Sequence, residues 1–228
     1  SKETMTLDEI AYNLLNLVRG GRSSNDEQIS LSQLKFNVKH YRAMLIRRDY
    51  ARNGYVSKTI EQDLGCLDLV RVDASKCCDL PPTCPVYRTN SKMPKTVRFN
   101  FRDAFTFIGK PDGTAAIPRV EPYEVEYLQY DKYTNSKPKY YVIDEYIYVY
   151  NPGGMEKINV RGVFEDPEEV YKFNTCNDGP CYDDQSPYPL PMDMVAAINQ
   201  GIINGELRLL SGTFSDTEND KQQDKPQQ

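Results

Sequence analysis

ISLSQLKFNVKHYRAMLIRRDY, residues 29–50, carries the start signal and the apolar periodicity of a long amphipathic helix. Ser30 and Gln33 have the spacing of a capping box, in which each residue satisfies a backbone N–H of the other. Ile29 and Leu34 have the spacing of a hydrophobic staple. Apolar residues then recur at steps of three and four, which predicts one buried face made of Leu31, Leu34, Val38, Tyr41 and Leu45, widened by Phe36, Met44 and Ile46.

The basic residues of this helix are predicted to fall mostly outside the buried face. They are Lys35, Lys39, Arg42, Arg47, Arg48 and Arg52. A solvated face is the commoner meaning of such a pattern, and contact with phosphates or with an acidic partner are the alternatives. Asn53 and Gly54 supply the left-handed residues that end a helix.

A first helix is predicted from Leu7 to Arg19, because Thr6 and Glu9 repeat the capping-box spacing. The polar link at residues 20–28 begins with two glycines, so the two helices are expected to form an antiparallel or splayed pair. Their apolar stripes both need a partner, and the stripe predicted for the first helix consists of Leu7, Ile10, Ala11, Leu14, Leu17 and Val18, with Leu15 at its edge. A core shared by these helices is the simplest way to cover them.

A further long helix is predicted to begin near Pro191 and to contribute to the same core. Gly201 and Gly205 lie four residues apart in it, which permits close approach to a neighbouring backbone, expected to be that of the first two helices. Its predicted stripe consists of Val195, Ile198, Ile202 and Leu209, flanked by Met194, Ile203 and Leu210.

Strand signals dominate from Lys95 to Phe164. Before this region, the alternation in LDLVRVD, residues 67–73, indicates a strand. KYYVID and EYIYVYN are expected to face each other across a turn at Asp144 and Glu145. PDG and NPGG are further turns. The segments predicted as strands from alternation or composition are TVRFNFRDAFTFI (96–108), PYEVEYLQY (122–130), KYYVID (139–144), EYIYVYN (145–151) and MEKINVRGVF (155–164).

The pattern predicts an α+β fold in which a helical module carries an inserted antiparallel β meander or small barrel. The helical module comprises residues 1–54 and 188–211, and the β-rich domain comprises residues 55–187. Within the latter, 73–94 and 174–187 are expected to be loops, and Asp166 with Pro167 starts a short helix near 167–173. Residues 212–228 are expected to be disordered, because the tail DTENDKQQDKPQQ at residues 216–228 has no apolar content.

Composition disfavours most enzyme classes and a membrane span. Hydrophobic residues make up 39% of the chain and the net charge is −5, which suits a soluble protein and argues against nucleic-acid binding by the whole surface. No apolar run is long enough to span a bilayer, and no signal peptide is evident. The only histidine, His40, lies inside a helix, where a surface or packing role is commoner than catalysis.

Two groups of residues, one of acids and one of cysteines, leave open an enzymatic and a metal-binding alternative. A virion-borne glycan hydrolase would pair Asp166 or Glu168 with Asp183, although acids at a helix start are explained by capping. A zinc-stabilised binding module would need Cys77, Cys78 and Cys84 to meet Cys176 or Cys181, with spacings unlike a standard ribbon or finger. Cys66 completes the six cysteines, and free thiols are the expectation. We assign no catalytic, cofactor-binding or metal-binding residue.

Three stretches in the same order resemble the virion structural proteins of crAss-like tailed bacteriophages. They are residues 16–49, NLVRGGRSSNDEQISLSQLKFNVKHYRAMLIRRD, residues 160–173, VRGVFEDPEEVYKF, and residues 188–210, YPLPMDMVAAINQGIINGELRLL, followed by an acidic tail. The resemblance implies a non-enzymatic head-to-tail connector or tail-ring protein, similar in role to the adaptor and gatekeeper proteins of short-tailed phages. A tail-tube or cargo protein of the virion is the alternative.

The partners that this resemblance implies are other virion components, and the implied location is the virion, with the host cytoplasm during assembly. It implies a closed, about dodecameric ring of identical copies in the neck or tail, touching the portal protein and the adjacent tail rings. Nonspecific contact with genome DNA in the channel is possible on a basic face, and no membrane or cofactor is implied. The abundance of tyrosine, 17 residues against 8 Phe and no Trp, suits half-buried sheets and protein interfaces.

Overall fold

A computed structural model describes residues 5–18, 30–72, 86–99, 102–130, 132–133, 135–173 and 186–207. The predicted link at 20–28, the cysteine-bearing parts of both predicted loops, the staple residue Ile29, Leu209, Leu210 and the predicted tail lie outside these ranges. The chain divides into two compact units, which we call the helical unit (residues 1–45 and 190–228) and the barrel unit (residues 46–189). The predicted boundaries, with a helical module at 1–54 and 188–211 and a β-rich domain at 55–187, stay a prediction.

The helical unit contains α1 (Leu7–Val18), the first part of α2 (Leu31–Asn53) and α4 (Met192–Ile202), which continues as a π-helical turn over Ile203–Leu207. The capping box of α1 is formed as predicted, because Thr6 N donates to Glu9 Oε2 at 2.8 Å and Glu9 N donates to Thr6 Oγ1 at 3.2 Å. At α2, Gln33 N donates to Ser30 Oγ at 3.2 Å. These side chains satisfy backbone donors that the first turn leaves open.

Buried apolar residues on all three helices confirm most of the predicted stripes. The corresponding positions are Leu7, Ile10, Ala11, Leu14 and Leu15 on α1, Leu34, Val38 and Leu45 on the first part of α2, and Val195, Ile198 and Ile202 on α4. The Lys35 ammonium also forms an ion pair with the Asp8 carboxylate, which links α1 to α2. The helical unit is therefore built from packed amphipathic helices.

Three positions on α2 were predicted wrongly. Phe36 is 67% exposed and Met44 is 45% exposed, although both were expected to widen the buried stripe. Arg42 was expected on the polar side and is completely buried. The helical repeat explains this, because Arg42 follows Val38 by four residues and precedes Leu45 by three, which places it on their face.

The two glycines of α4 and its π-helical turn lie against the side chain of Tyr41 on α2, so the expected neighbouring helix is correct, but the contact is with a side chain and not with backbone. A Cβ on Gly201 would lie 2.8 Å from the Tyr41 ring, and a Cβ on Gly205 would lie 2.5 Å from its hydroxyl oxygen. Neither position has room for a larger side chain unless Tyr41 moves.

Replacing Gly201 by leucine is expected to destabilise the helical unit by about 1–3 kcal/mol, because overpacking forces side chains off their preferred rotamers. Urea unfolding monitored by circular dichroism measures this loss. Tyr41→Ala combined with Gly201→Leu should recover much of the stability, since it vacates the space. Equal losses with and without Tyr41→Ala would contradict the packing described here.

The barrel unit contains a curled six-stranded antiparallel sheet in the order β5-β8-β1-β2-β7-β6, which with the helices confirms the α+β class. The barrel unit also contains a separate pair of short strands, β3 (Arg98–Phe99) and β4 (Arg102–Asp103), and the short helix α3 (Pro167–Phe173). Its 3₁₀ helix is introduced below. The strands of the sheet are β1 (Gln62–Val72), β2 (Val86–Thr89), β5 (Phe105–Gly109), β6 (Lys139–Ile143), β7 (Tyr146–Tyr150) and β8 (Lys157–Gly162).

The strand order is not that of consecutive hairpins, and β2 lies in a segment that was predicted to be a loop. Only β1 with β2 and β6 with β7 are neighbours both in sequence and in the sheet. The β6–β7 turn is the predicted one, with left-handed backbone at Asp144 (φ 51°) and Glu145 (φ 68°), as a two-residue hairpin requires. β2 escaped detection because it has only four residues and pairs with β7, which is distant along the chain.

The sheet closes into a small barrel through the segment at residues 115–120, which we call the closing segment. Ile117 N donates to Ile108 O of β5 at 2.8 Å, and Val120 N donates to Tyr140 O of β6 at 2.9 Å. β5 and β6 are the two edges of the sheet. The closing segment pairs with both of them and so joins one edge to the other. Closure removes the open edges that would otherwise pair with other chains. Gly109 is required where the segment crosses, because a Cβ there would overlap the Ala115 carbonyl oxygen.

Side chains alternate between the barrel interior and its outer surface. On β6, Tyr140 belongs to the interior cluster and Tyr141 to the outer one. Burial raises the pKa of the Tyr140 phenol, so this side chain stays neutral. The interior cluster comprises Leu64, Met93, Ile108, Ile117, Tyr140, Ile147, Val149, Ile158, Val160, Phe164 and Val170.

Residues 122–130, predicted as a strand, form a 3₁₀ helix over Pro122–Tyr130 that lies on the outer surface of the barrel. Val125 packs against the outer cluster of Val86, Tyr141 and Tyr148. Leu128 follows three residues later and is 8% exposed. In a 3₁₀ helix residues i and i+3 lie on the same side, so the apolar period here is three and not two. The predicted alternation was therefore the wrong period.

Candidate assembly surfaces

The acids proposed for hydrolysis begin α3, where they have a structural role. Glu168 N donates to Asp166 Oδ1 at 3.0 Å, which is the predicted cap of this helix. Glu169 also lies in the first turn of α3, where the helix dipole favours negative charge. Asp183, the second acid of the hydrolase alternative, lies outside the described residues.

The zinc alternative rests on Cys77, Cys78, Cys84, Cys176 and Cys181, all of which lie outside the described residues. Cys66 is described, is a free and exposed thiol on β1, and lies 3.8 Å from the Pro111 carbonyl oxygen. Within the described ranges, no three residues of the metal-ligating types come together.

The single histidine, His40, is exposed, which is the first of the two roles expected for it, surface or packing. The His40 ring stacks beside Phe36 with a centroid distance of 6.5 Å and meets Tyr41 edge to face at 6.1 Å. Its described neighbours are thus aromatic rings on its own helix.

Searched over the described residues, no helix is both long and apolar enough to cross a lipid bilayer.

A cavity of about 490 Å³ lies at the end of the barrel where β5 begins and β8 ends. Lys95 and Arg98 line it together with Asp103, Glu145 and Glu165, so its charged groups have both signs. Thr96 Oγ1 donates to Asp103 Oδ1 at 3.2 Å inside this lining. The mixture of charges does not select an anionic or a cationic ligand.

The 3₁₀ helix presents an exposed surface of tyrosine and glutamate, which we call the tyrosine surface. Tyr123, Tyr127 and Tyr130 are 73%, 68% and 77% exposed, and Glu124 and Glu126 are exposed between them. Val125 and Leu128 hold the opposite side of the same helix on the barrel. Three large aromatic side chains on a firmly seated helix are unusual for surface that faces only water.

A second exposed surface of the barrel unit is basic, and we call it the arginine surface. It comprises Arg47, Arg48 and Arg52 on the last turns of α2, followed by Tyr55, which is 68% exposed, and the exposed Lys58. The end of this helix is fixed, because Tyr50 stacks on Phe99 with a centroid distance of 4.0 Å and Gly54 N donates to Tyr50 O at 2.8 Å. The predicted solvated basic face is confirmed at these arginines and is wrong at Arg42.

Sequence reasoning missed the tyrosine surface as a unit, although it noted the excess of tyrosine. The signal lies in the three-residue repeat of residues 122–130, in which Pro122, Val125 and Leu128 occupy equivalent positions. Tyrosine and glutamate fill the positions between them. A search for period three would have placed the tyrosines outward.

The two exposed surfaces carry tyrosine and arginine, residue types that are enriched at protein interfaces, which fits the class of structural subunits that contact other macromolecules. A family model described as phage tail ring protein 2 of the crAss type matches residues 9–225, and the chain belongs to this family. No curated protein matches the chain. The resemblance to structural proteins of crAss-like phage virions is thereby confirmed, and the protein has a structural role in the virion.

Proposed function

We propose that this protein is a non-enzymatic subunit of a closed ring at the head-to-tail connection, where the ring joins the portal to the tail and surrounds the DNA channel. The family match carries this proposal, because it covers residues 9–225 and so includes most of both units. Within this proposal the helical module and the β-rich domain act as two parts of one ring subunit.

The arrangement of the described residues supports a contact role. Of the acids in the hydrolase alternative, Asp166 and Glu168 lie within the described residues, and Asp166 Oδ1 caps α3 by accepting from Glu168 N. Three strongly exposed tyrosines, in contrast, lie together on one 3₁₀ helix of the barrel. Identical copies that present different complementary surfaces on their two sides form a ring when the rotation between them closes.

Purified full-length protein is expected to assemble into closed rings, about dodecameric, in a concentration-dependent manner. Sedimentation velocity and negative-stain electron microscopy measure the size and the closure of the assembly. Incubation with purified portal rings should give a stacked complex, since the proposed position is next to the portal. A chain that stays monomeric at all accessible concentrations and does not bind portal rings would overturn the proposal.

The position of the chain in the intact particle separates this role from the other virion roles. A density map of the virion should contain the chain as one ring in the neck or upper tail. Its presence along the whole length of a tail tube, or inside the head, would instead assign a tube or cargo role and contradict the connector.

A further inference from the structure

We propose that neighbouring copies in the ring contact each other through the tyrosine surface of one copy and the arginine surface of the next. This inference rests on the proposed ring and adds to it the two surfaces that make the contact. Both surfaces belong to the barrel unit, so the contact joins the barrel of one copy to the barrel of the next.

The tyrosine surface has the composition of the centre of a protein interface. Tyrosine is enriched at binding hot spots, because it gives a large contact area while losing little conformational entropy. Residues three apart lie on the same side of a 3₁₀ helix, so Tyr123 lies in line with Glu126. Tyr127 and Tyr130 lie in a second line with Glu124. Each line therefore offers aromatic rings together with a carboxylate.

The arginine surface offers the complementary groups. Arg47, Arg48 and Arg52 are exposed, and guanidinium groups both pair with carboxylates and stack on aromatic faces. The chain already uses such stacking within one copy, because the Arg88 guanidinium lies 4.1 Å from the centroid of the Tyr146 ring. Arg161 lies over the Phe107 ring in the same way at 5.3 Å.

A second copy is the partner that this pair of surfaces favours. A ring needs two different, mutually complementary surfaces on every copy, and the barrel unit carries one that is acidic and aromatic and one that is basic. Opposite charges also steer the two surfaces together, whereas contact between like surfaces is unfavourable, which opposes a closed two-fold dimer. Both surfaces are exposed in the single chain and so are available to a neighbour.

The test uses two full-length variants with reversed charge. One carries Arg47→Glu, Arg48→Glu and Arg52→Glu, and the other carries Glu124→Arg and Glu126→Arg. Each variant alone should self-associate at least about tenfold more weakly than the unchanged protein, since its two surfaces now repel each other. An equimolar mixture should recover assembly, because each reversed surface then meets a reversed partner. Sedimentation velocity measures all three samples.

The control carries Asp68→Arg and Glu156→Arg, which reverse two exposed carboxylates of the barrel unit outside both surfaces with the same change in net charge as the Glu124 and Glu126 variant. It should assemble like the unchanged protein. Circular dichroism checks that every variant is folded, and higher salt should weaken the native contact. Because Glu124 Oε2 accepts a hydrogen bond from Glu121 N at 3.0 Å, hydrogen exchange at residues 122–130 checks that the 3₁₀ helix is retained in the Glu124 and Glu126 variant.

The outcomes separate this inference from the proposed ring. If the unchanged protein forms rings and both reversed variants form them equally well, the ring stands and the surfaces assigned here are wrong. Loss of assembly without recovery on mixing would also overturn the pairing. If the arginine variant keeps self-association and loses binding to duplex DNA instead, the arginine surface contacts the genome and the inference fails. A monomeric unchanged protein overturns the ring itself.

Discussion

Replacing Ile117 by proline is expected to lower the free energy of unfolding by about 3–5 kcal/mol, because it opens the barrel and empties part of its interior. Proline has no N–H, so the bond from Ile117 N to Ile108 O at 2.8 Å is lost. The Ile117 side chain is 4% exposed and belongs to the interior cluster, and proline does not fill its place. Urea unfolding followed by circular dichroism measures the change.

Ile117→Val is the matched control for this substitution. Valine keeps the backbone donor and most of the side chain, so the expected cost is about 1 kcal/mol. The proline variant should also aggregate on storage, which light scattering detects, since β5 regains an open edge. If the proline and valine variants have the same stability and the same scattering, the closing segment does not hold the barrel together.

Replacing Leu128 by alanine is expected to cost about 2–4 kcal/mol and to loosen the 3₁₀ helix on the barrel. Leu128 is 8% exposed and lies on the same side of that helix as Val125, which contacts the outer cluster. A 3₁₀ helix has poorer hydrogen-bond geometry than an α-helix, so burial of these side chains supplies much of its stability. Hydrogen exchange at the amides of residues 122–130 should accelerate.

Tyr127→Ala provides the comparison, because it removes a larger side chain from the preceding position of the same helix. Tyr127 is 68% exposed, so its removal should change the free energy of unfolding by less than about 0.5 kcal/mol. It should weaken ring assembly while hydrogen exchange stays slow. A Tyr127 variant as unstable as the Leu128 variant would show that the tyrosine packs inward.

Several local signals, namely two helix starts and one hairpin turn, were read correctly from the sequence. Thr6 and Glu9 form the predicted capping box, Asp166 caps the predicted short helix, and Asp144 with Glu145 forms the predicted turn. These features involve hydrogen bonds or backbone angles within a few residues. Long-range partners change such features little, which is why sequence alone was enough.

Errors arose where the type of a residue, or a few alternating residues, suggested one burial or secondary structure and the repeat of apolar positions along the whole element gave another. Arg42 was placed on the polar side because it is charged, although its spacing from Val38 and Leu45 put it on the buried face. The segment at residues 122–130 was assigned as a strand because five of its residues alternate, although its apolar positions repeat every three. Phe36 and Met44 were assigned to the core by hydrophobicity alone and lie on the exposed side.

The sequence by itself determined the helices, their caps, the turns between strands and the family of the protein, because each is encoded in local spacing or in residues along most of the chain. Only the tertiary structure decided that β2 lies between β1 and β7, that residues 115–120 close the barrel, and that three tyrosines of one 3₁₀ helix share an exposed surface. Strand order and barrel closure depend on pairs of residues far apart in the chain, whose contacts form only when the whole sheet assembles.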